Sequence, residues 1–296
     1  MSDGGPLINL GDLAKPATVL IEKISEAIGG VARPYQIRRV AKAEAEAEKI
    51  HALAQIEITE LQRRALVRFV AEETKKQSNI EDITNNAIKE LSEDAQPDRV
   101  EDDWIANFFD KCKLISDKEM QILWGKVLAG EANNPGKYSK RTVDFLSSID
   151  KQDAFLFEKL CRFGWVIGNI VPLIFETNDD IYNTNDITFN ALRHLEDIGL
   201  ISFGSLAGYI HQGLPKIFDI YYYGTPLFIE FNKESDNKLE IGKVLLSKVG
   251  QELAPLAGSK PVDGFSEYAI RKWAVKGIKT YSEWPKHVIA KKDNIT

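Results

Sequence analysis

Residues 35–76 contain neither glycine nor proline and are rich in Ala, Glu, Lys, Arg and Gln, the residues that favour helix most strongly. A single helix over this stretch would be about 60 Å long at the standard rise per residue. Because a small domain does not need so long a helix, the stretch predicts helix–helix assembly. The partner helix could belong to another copy of the chain or to the chain's own helical domain.

An apolar stripe runs along this predicted helix at steps of four and three residues, which is closer to an eleven-residue repeat than to strict heptads. Alanine dominates the first half of the stripe, so a partner helix could approach closely there. The candidate assembly residues are Ala47, Ile50, Ala54, Ile58, Leu61 and Phe69.

Shorter helical patterns flank the long one. An amphipathic helix is expected over about 15–28, and an all-helical bundle is expected over 79–164. Within the bundle, Asn79 is expected to cap one helix, and Ser116 with Glu119 forms a capping-box pattern for another. Gly130 is expected to close that second helix.

The composition changes at Trp165, after which β-branched and aromatic residues gather between Gly, Pro and Asn turns. A helical pattern that ends at Gly199, continues into a strand and is followed by a hairpin is typical of a winged-helix unit. The predicted fold class is therefore mainly α (α+β overall). The predicted segments are a disordered N-terminus (1–12), an amphipathic helix plus a long assembly helix (13–78), the helical bundle (79–164), a winged-helix-like α+β domain (165–260), and a basic aromatic C-terminal helix and tail (261–296).

The C-terminal segment 265–292 carries seven basic residues and two acidic ones, with aromatic residues interleaved. This pattern suits a surface for single-stranded nucleic acid, an amphipathic helix on a membrane surface, or a helix docked on the protein with lysines in solvent. The candidate residues of this tail are Arg271, Lys272, Trp273, Lys276 and Lys279.

The charge balance argues against DNA binding by the winged-helix-like region. The whole chain has a formal net charge of −6, and residues 181–258 hold six basic and nine acidic residues. DNA affinity needs several cations that neutralise phosphates. We therefore expect this region to bind protein or to serve as structure, and nucleic acid to bind only through the basic tail.

Most of the standard catalytic and cofactor motifs are missing from the sequence, and no cofactor and no metal site is predicted. The two cysteines, Cys112 and Cys161, have neither disulfide nor zinc spacing and suit reduced, buried thiols. The first residues do not form a signal peptide, and no apolar run is long enough to span a bilayer. These features predict a cytoplasmic protein, with peripheral membrane contact left open.

The stretch LAGEANNPGKYSKRT, residues 128–142, lies between two predicted helices. Asn134, Pro135 and Gly136 predict a turn, and Ser139 is expected to cap the following helix. Local rules do not account for Glu131, Tyr138 and Arg141. We expect Glu131 to pair with Arg141 across the turn, with Tyr138 packed behind, although a ligand site is the alternative.

This stretch, together with LAKPATVLIEKISEAIGG near the N-terminus and DAFLFEKL at 153–160, resembles an uncharacterised bacterial family with a domain of unknown function. A looser resemblance to bacterial abortive-infection proteins rests on 118–124, 192–201 and 247–253. Ser247 departs from the pattern of those proteins, and Lys248-Val249 stands where they often have Leu-Thr. The resemblance implies a role in phage defence and identifies no active residues.

The leading hypothesis is a non-enzymatic sensor, effector or scaffold of bacterial antiviral defence. It would act through self-assembly as a homo-oligomer and through contacts with another defence or phage protein. One alternative is a nuclease or other enzyme whose site is not visible as a linear motif. The other is a winged-helix DNA-binding regulator.

Overall fold

The computed structural model describes residues 15–28 and 59–285, and the chain divides between Ser147 and Ser148 into two compact units. The described elements of the first unit are helical. They are α1 (Lys15–Ile28), α2 (Glu60–Lys89), a 3-10 turn (Pro97–Arg99), α3 (Asp102–Cys112), α4 (Lys118–Asn133) and α5 (Lys140–Ser148). The predicted fold class, mainly α with α+β content, is confirmed.

Helix α1 has the bounds that its amphipathic pattern predicts. Its buried residues Ala17, Leu20 and Ile24 recur at helical spacing and so lie on one face. That face packs on α3 and on the 3-10 turn. The N-terminal helix therefore contributes to the core of the first unit.

Helix α2 begins at Glu60. The prediction of one continuous helix over 35–76 is therefore wrong, because Thr59 is not part of a helix. Thr59 has an extended backbone and forms a capping box, because its hydroxyl accepts from the amide of Gln62 while the Gln62 side chain accepts from the amide of Thr59. Two orphan amide groups are thereby satisfied, and the helix has a defined start. The alanine-rich half of the predicted stripe lies outside the described residues.

The second half of α2 packs on α4. Asn79 does not cap a helix, because it is buried within α2, where its side chain donates to the carbonyl of Lys113 and accepts from Gln121. The two helices approach so closely at Gly125 that a Cβ there would lie 2.6 Å from the Cβ of Asn86. A glycine in a helix interior costs stability, and here this close contact requires it.

Both predicted ends of α4 differ from the observed ones. The N-cap is Asp117 rather than Ser116, and its carboxylate accepts from the amides of Glu119 and Met120. At the other end the helix continues past Gly130 to Asn133. Gly130 therefore does not end this helix.

The second unit combines helices and short strands. Its helices are α6 (Lys151–Cys161), α7 (Asp180–Asn183), α8 (Phe189–Asp197), α9 (Lys248–Leu253) and α10 (Phe265–Val275), with a 3-10 turn at Ala254–Leu256. Its strands are β1 (Gly164–Ile167), β2 (Asn169–Pro172), β3 (Ile201–Phe203), β4 (Tyr209–Leu214), β5 (Ile217–Tyr222), β6 (Thr225–Glu230), β7 (Asn237–Gly242), β8 (Val244–Leu246) and β9 (Lys279–Tyr281).

Five strands form an antiparallel sheet in the order β2-β1-β5-β6-β9, and two further antiparallel pairs join β3 with β8 and β4 with β7. One face of the large sheet carries an aromatic core. Trp165 stacks on Tyr222 and meets Trp273 of α10 edge to face, with ring centroids 5.0 Å and 5.7 Å away. Such contacts add stability beyond the area that they bury.

The pairing of the strands changes two sequence predictions. Strand β3, which follows α8, pairs with β8 rather than with the next strand along the chain, so the expected hairpin directly after α8 is not formed. Strand β9 pairs with β6, so residues beyond the predicted boundary at 260 complete the large sheet. The division at 147 likewise assigns α6 to the second unit rather than to the predicted bundle.

We predict that Gly125→Ala destabilises the protein, although alanine usually stabilises a helix interior by up to about 1 kcal/mol. The new methyl group would collide with Asn86 and the backbone of Ala87. We expect a net loss of about 1–3 kcal/mol in the free energy of unfolding, measured by urea denaturation. Thr74→Ala at an exposed position of α2 is the control and should be neutral or stabilising. A stabilised Gly125→Ala variant would contradict the close packing.

Candidate functional site

The loop between α4 and α5 is organised around a buried carboxylate. The Glu131 side chain is 3% exposed and accepts hydrogen bonds from the amides of Gly136, at 2.6 Å, and Tyr138, at 2.8 Å. A turn closes between Asn134 and Lys137, and Gly136 has a φ of 88°, which favours glycine. Hydrogen bonds from amides to a charged acceptor are among the stronger ones in proteins, so Glu131 holds the loop in one shape.

Tyr138 follows the turn and is buried against the end of α4. A Cβ at Gly130 would lie 2.7 Å from the tyrosine ring, so this glycine makes room for the ring. The indole N–H of Trp104 donates to the carbonyl of Tyr138 at 2.8 Å, which ties the loop to α3. Ser139 then caps α5 as predicted, because its hydroxyl accepts from the amide of Thr142.

An open cleft of about 400 Å³ lies beside this loop. Two cationic side chains, Arg99 and Lys140, line it together with Glu101. Arg99 donates to the side chain of Gln96 at 2.7 Å, and the Lys140 ammonium lies 4.0 Å from a carboxylate oxygen of Asp103. The cleft is therefore a polar surface of mixed charge, suited to a polar ligand rather than an apolar one.

The structure brings together two of the three predicted loop residues, Glu131 and Tyr138. The partners shown for Glu131 are backbone amides, whereas Arg141 is exposed in the first turn of α5. The ion pair between Glu131 and Arg141 stays a prediction. Trp104 and the two cations of the cleft were missed, because they come from distant parts of the chain and no local spacing connects them.

The first turns of α2 form a second candidate site. Leu61 and Phe69, both candidate assembly residues, are 70% and 60% exposed, and Val67 is 55% exposed. All residues from Glu60 to Phe69 are exposed, whereas the buried residues of α2 begin at Asn79. The other four candidates, Ala47, Ile50, Ala54 and Ile58, lie outside the described residues.

Among the five candidate residues of the basic tail, one is a core residue and two are cations paired with carboxylates. Trp273 is 1% exposed and donates to the carbonyl of Glu240. Lys276 lies 2.7 Å from the carboxylate of Glu240, and Lys272 lies 3.0 Å from that of Asp179. Arg271 is exposed on α10, and Lys279 is exposed on β9.

Asp179 anchors the tail from the body of the second unit. Burial opposes the ionisation of its carboxyl group, but hydrogen bonds from Tyr268 and Lys272 outweigh burial and lower its pKa. The Lys272 ammonium also lies over the Tyr268 ring, 5.3 Å from its centroid. Trp273 and Lys272 therefore hold α10 in place, which supports the docked-helix interpretation of the tail.

In the winged-helix alternative, α8 would be the helix that contacts DNA, but the basic side chains Arg193 and His194 of this helix already have partners. Arg193 pairs with Glu196 and Asp197 on the same helix, and the imidazole of His194 lies 2.6 Å from the carboxylate of Asp153. These pairs would have to be broken before either side chain could contact a phosphate. The geometry agrees with the unfavourable charge count of this region.

Within residues 15–28 and 59–285, no group of three or more His, Cys, Asp or Glu is arranged to hold a metal ion. Over the same ranges, no helix combines the length and the apolar character that a bilayer crossing requires. Cys112 and Cys161 are buried, as the sequence predicts, and burial raises the pKa of both thiols. Both thiols are therefore protonated at neutral pH.

The protein is mainly α with α+β content. Its first unit is helical and carries the Glu131 loop and the exposed segment of α2, and its second unit contains the antiparallel sheet. Residues 63–269 match the family described as Protein of unknown function (DUF2806), and the protein belongs to that family. Comparisons with curated proteins and with solved structures give no match. The matched range includes the loop, the cleft and α2 from Arg63 onward, and it ends before the five tail candidates.

We predict that Glu131→Gln loosens the loop. A glutamine offers one acceptor oxygen, and its NH₂ group would face a backbone N–H, so one buried amide loses its charged acceptor. We expect a loss of about 1–3 kcal/mol in the free energy of unfolding, measured by urea denaturation.

Arg141→Ala is the matched comparison, because Arg141 is exposed and should contribute less than Glu131. Equal losses of unfolding free energy in the two variants would instead favour an ion pair between Glu131 and Arg141.

Proposed function

We propose that this protein is a non-enzymatic assembly protein that self-associates through the first turns of α2. The observation that carries the proposal is the exposure of large apolar side chains there, Leu61, Val67 and Phe69 among them. Several large apolar side chains exposed within three turns of one helix indicate an interaction site, whereas single exposed ones need no such explanation. Burying these side chains against a partner would contribute about 25 cal/mol per Å² of apolar area.

The second half of the same helix supports this use. Ile80, Ile83 and Ala87 are buried against the rest of the first unit, so the exposed turns continue a helix that is firmly packed. The capping box at Thr59 keeps the exposed end helical. A preorganised helix loses little conformational entropy when it binds, which favours association.

The biological setting that we propose is bacterial antiviral defence of the abortive-infection type, in which the protein acts as a sensor, effector or scaffold. The sequence resemblance described above supports this setting. Its partners would be further copies of the chain and another defence or phage protein. The proposed location is the cytoplasm, which the two buried, protonated cysteines fit.

A second candidate function, an enzyme or ligand-binding activity, is favoured by the polar cleft beside the Glu131 loop. The cleft is assembled from residues far apart in the sequence, as a site without a linear motif would be. Incubation of the purified protein with nucleic acids and divalent metals tests the nuclease form of this candidate. Cleavage that is lost in Glu101→Gln would support it, and absence of cleavage would count against it.

We predict that Leu66→Gln, Val67→Gln and Phe69→Gln combined abolish self-association. The wild-type protein should show a concentration-dependent rise in mass by sedimentation velocity in the micromolar range, and the triple variant should stay monomeric. Because these side chains are exposed, the melting temperature should change little. In phage-challenged cells that carry the gene, the same variant should lose protection.

The matched control is Leu206→Gln with Val275→Gln, which removes the two most exposed large apolar side chains in the described part of the second unit, 98% and 87% exposed. This control should assemble as the wild type does. A wild-type protein that remains monomeric at every concentration would refute the proposal.

A further inference from the structure

We propose that the assembly is a two-fold symmetric pair in which the exposed turns of α2 from two copies lie antiparallel, with Arg68 of each copy at the midpoint. This inference rests on the self-association proposed above and names its partner, a second copy of this chain. It also names the arrangement of the two helices and the residues that select it.

One face of α2 carries the contact. Arg63, Leu66, Val70 and Glu73 follow one another at steps of three, four and three residues, which aligns them along a single side of a helix. Leu66 is 37% exposed, Val70 is half-buried, and the side chains of Arg63 and Glu73 are 61% and 49% exposed. Read along the helix, this face is positive, apolar, apolar and negative.

The sequence around this face is complementary to the same sequence read in the opposite direction. Residues 63–73 read RRALVRFVAEE, and positions equally distant from Arg68 match: alanine with alanine, Leu66 with Val70, and arginine with glutamate. Arg63 and Glu73 each lie about 7.5 Å from the midpoint along the axis, given the helical rise. An antiparallel copy therefore places Arg63 opposite Glu73 at both ends and aliphatic side chains opposite each other in the middle.

A parallel pair in register would place Arg63 opposite Arg63 and Glu73 opposite Glu73. Like charges at close range disfavour that arrangement, so charge selects the antiparallel one. Within one copy, Arg63 lies 3.9 Å from Glu60 and Glu73 lies 2.6 Å from Lys76. These exposed pairs are weak and can be exchanged for contacts with the second copy.

The size of the contact predicts reversible association. About three helical turns on each side bury well below the roughly 1,600 Å² of a standard stable interface. We therefore expect dissociation in the micromolar range, where a change in protein concentration alters the fraction assembled. The charged ends set the orientation and the register, and the apolar centre supplies most of the affinity.

Charge reversal tests the arrangement in the full chain. Arg63→Glu and Glu73→Arg each turn two attractive contacts into two repulsive ones, and each should weaken self-association about tenfold by sedimentation velocity. The double variant R63E/E73R should regain wild-type association. An equimolar mixture of the two single variants should also associate, because each supplies the charges that the other lacks.

Arg64→Glu is the matched control, since Arg64 lies about 100° around the helix from Arg63 and away from the shared face. Circular dichroism melting should be unchanged in all of these variants, because the side chains are exposed. If Arg63→Glu and Glu73→Arg behave like Arg64→Glu while the wild-type protein assembles, the antiparallel arrangement is wrong and self-association stands. If the wild-type protein is monomeric throughout, self-association itself is wrong.

Disulfide trapping supplies the orientation independently. A mixture of Arg63→Cys and Glu73→Cys should give a crosslinked dimer under mild oxidation, whereas neither variant alone should, because its two copies of the new cysteine lie about 15 Å apart along the axis. The native cysteines are buried and should not interfere. Crosslinking of Arg63→Cys alone would indicate a parallel pair and overturn the inference.

Discussion

The close contact between α2 and α4 at Gly125 is the constraint on which both candidate sites depend. Because this position lacks a side chain, the buried half of α2 lies directly against α4, with Asn86 and Ala87 at the contact. The same contact anchors the exposed turns at one end of α2 and supports the loop at the end of α4. Two features far apart in the sequence thus share one packing interaction.

Two hydrogen bonds to the Glu131 carboxylate fix the shape of the Glu131 loop. A buried carboxylate is costly unless hydrogen-bond donors surround it, and here two amides of the loop itself are those donors. Loop shape and carboxylate burial therefore depend on each other. The result is a rigid wall for the adjoining cleft, whose other walls come from the start of α3 and the 3-10 turn.

The features of the fold that depend on neighbouring residues could be predicted from the sequence. The bounds of α1, the Ser139 cap and the burial of both cysteines follow from periodicity, capping and composition. The predicted end of α4 at Gly130 was wrong, because packing against a distant side chain overrode the local rule for helix ends. Gly130 resembles a helix terminator, but the helix continues because the missing side chain makes room for Tyr138.

Contacts between residues far apart in the chain could not be predicted from the sequence, for a different reason. The pairing of β3 with β8, and of Trp104 with the carbonyl of Tyr138, joins residues whose separation leaves no periodic signal. The exposed face of α2 is an intermediate case. Its pattern is visible in the letters of the sequence, but only the structure shows that the helix begins at Glu60 and that this segment is exposed.

The position of β9 has a consequence for the synthesis of the chain. Strand β6 pairs with β5 on one side and with β9 on the other, and β9 lies about fifty residues nearer the C-terminus. While the ribosome makes those residues, the outer edge of β6 has free amide and carbonyl groups, which is the condition under which strands join the wrong partner. The second unit therefore reaches its native sheet only when Lys279–Tyr281 has emerged, and a nascent chain stalled before Lys279 would carry an open sheet edge.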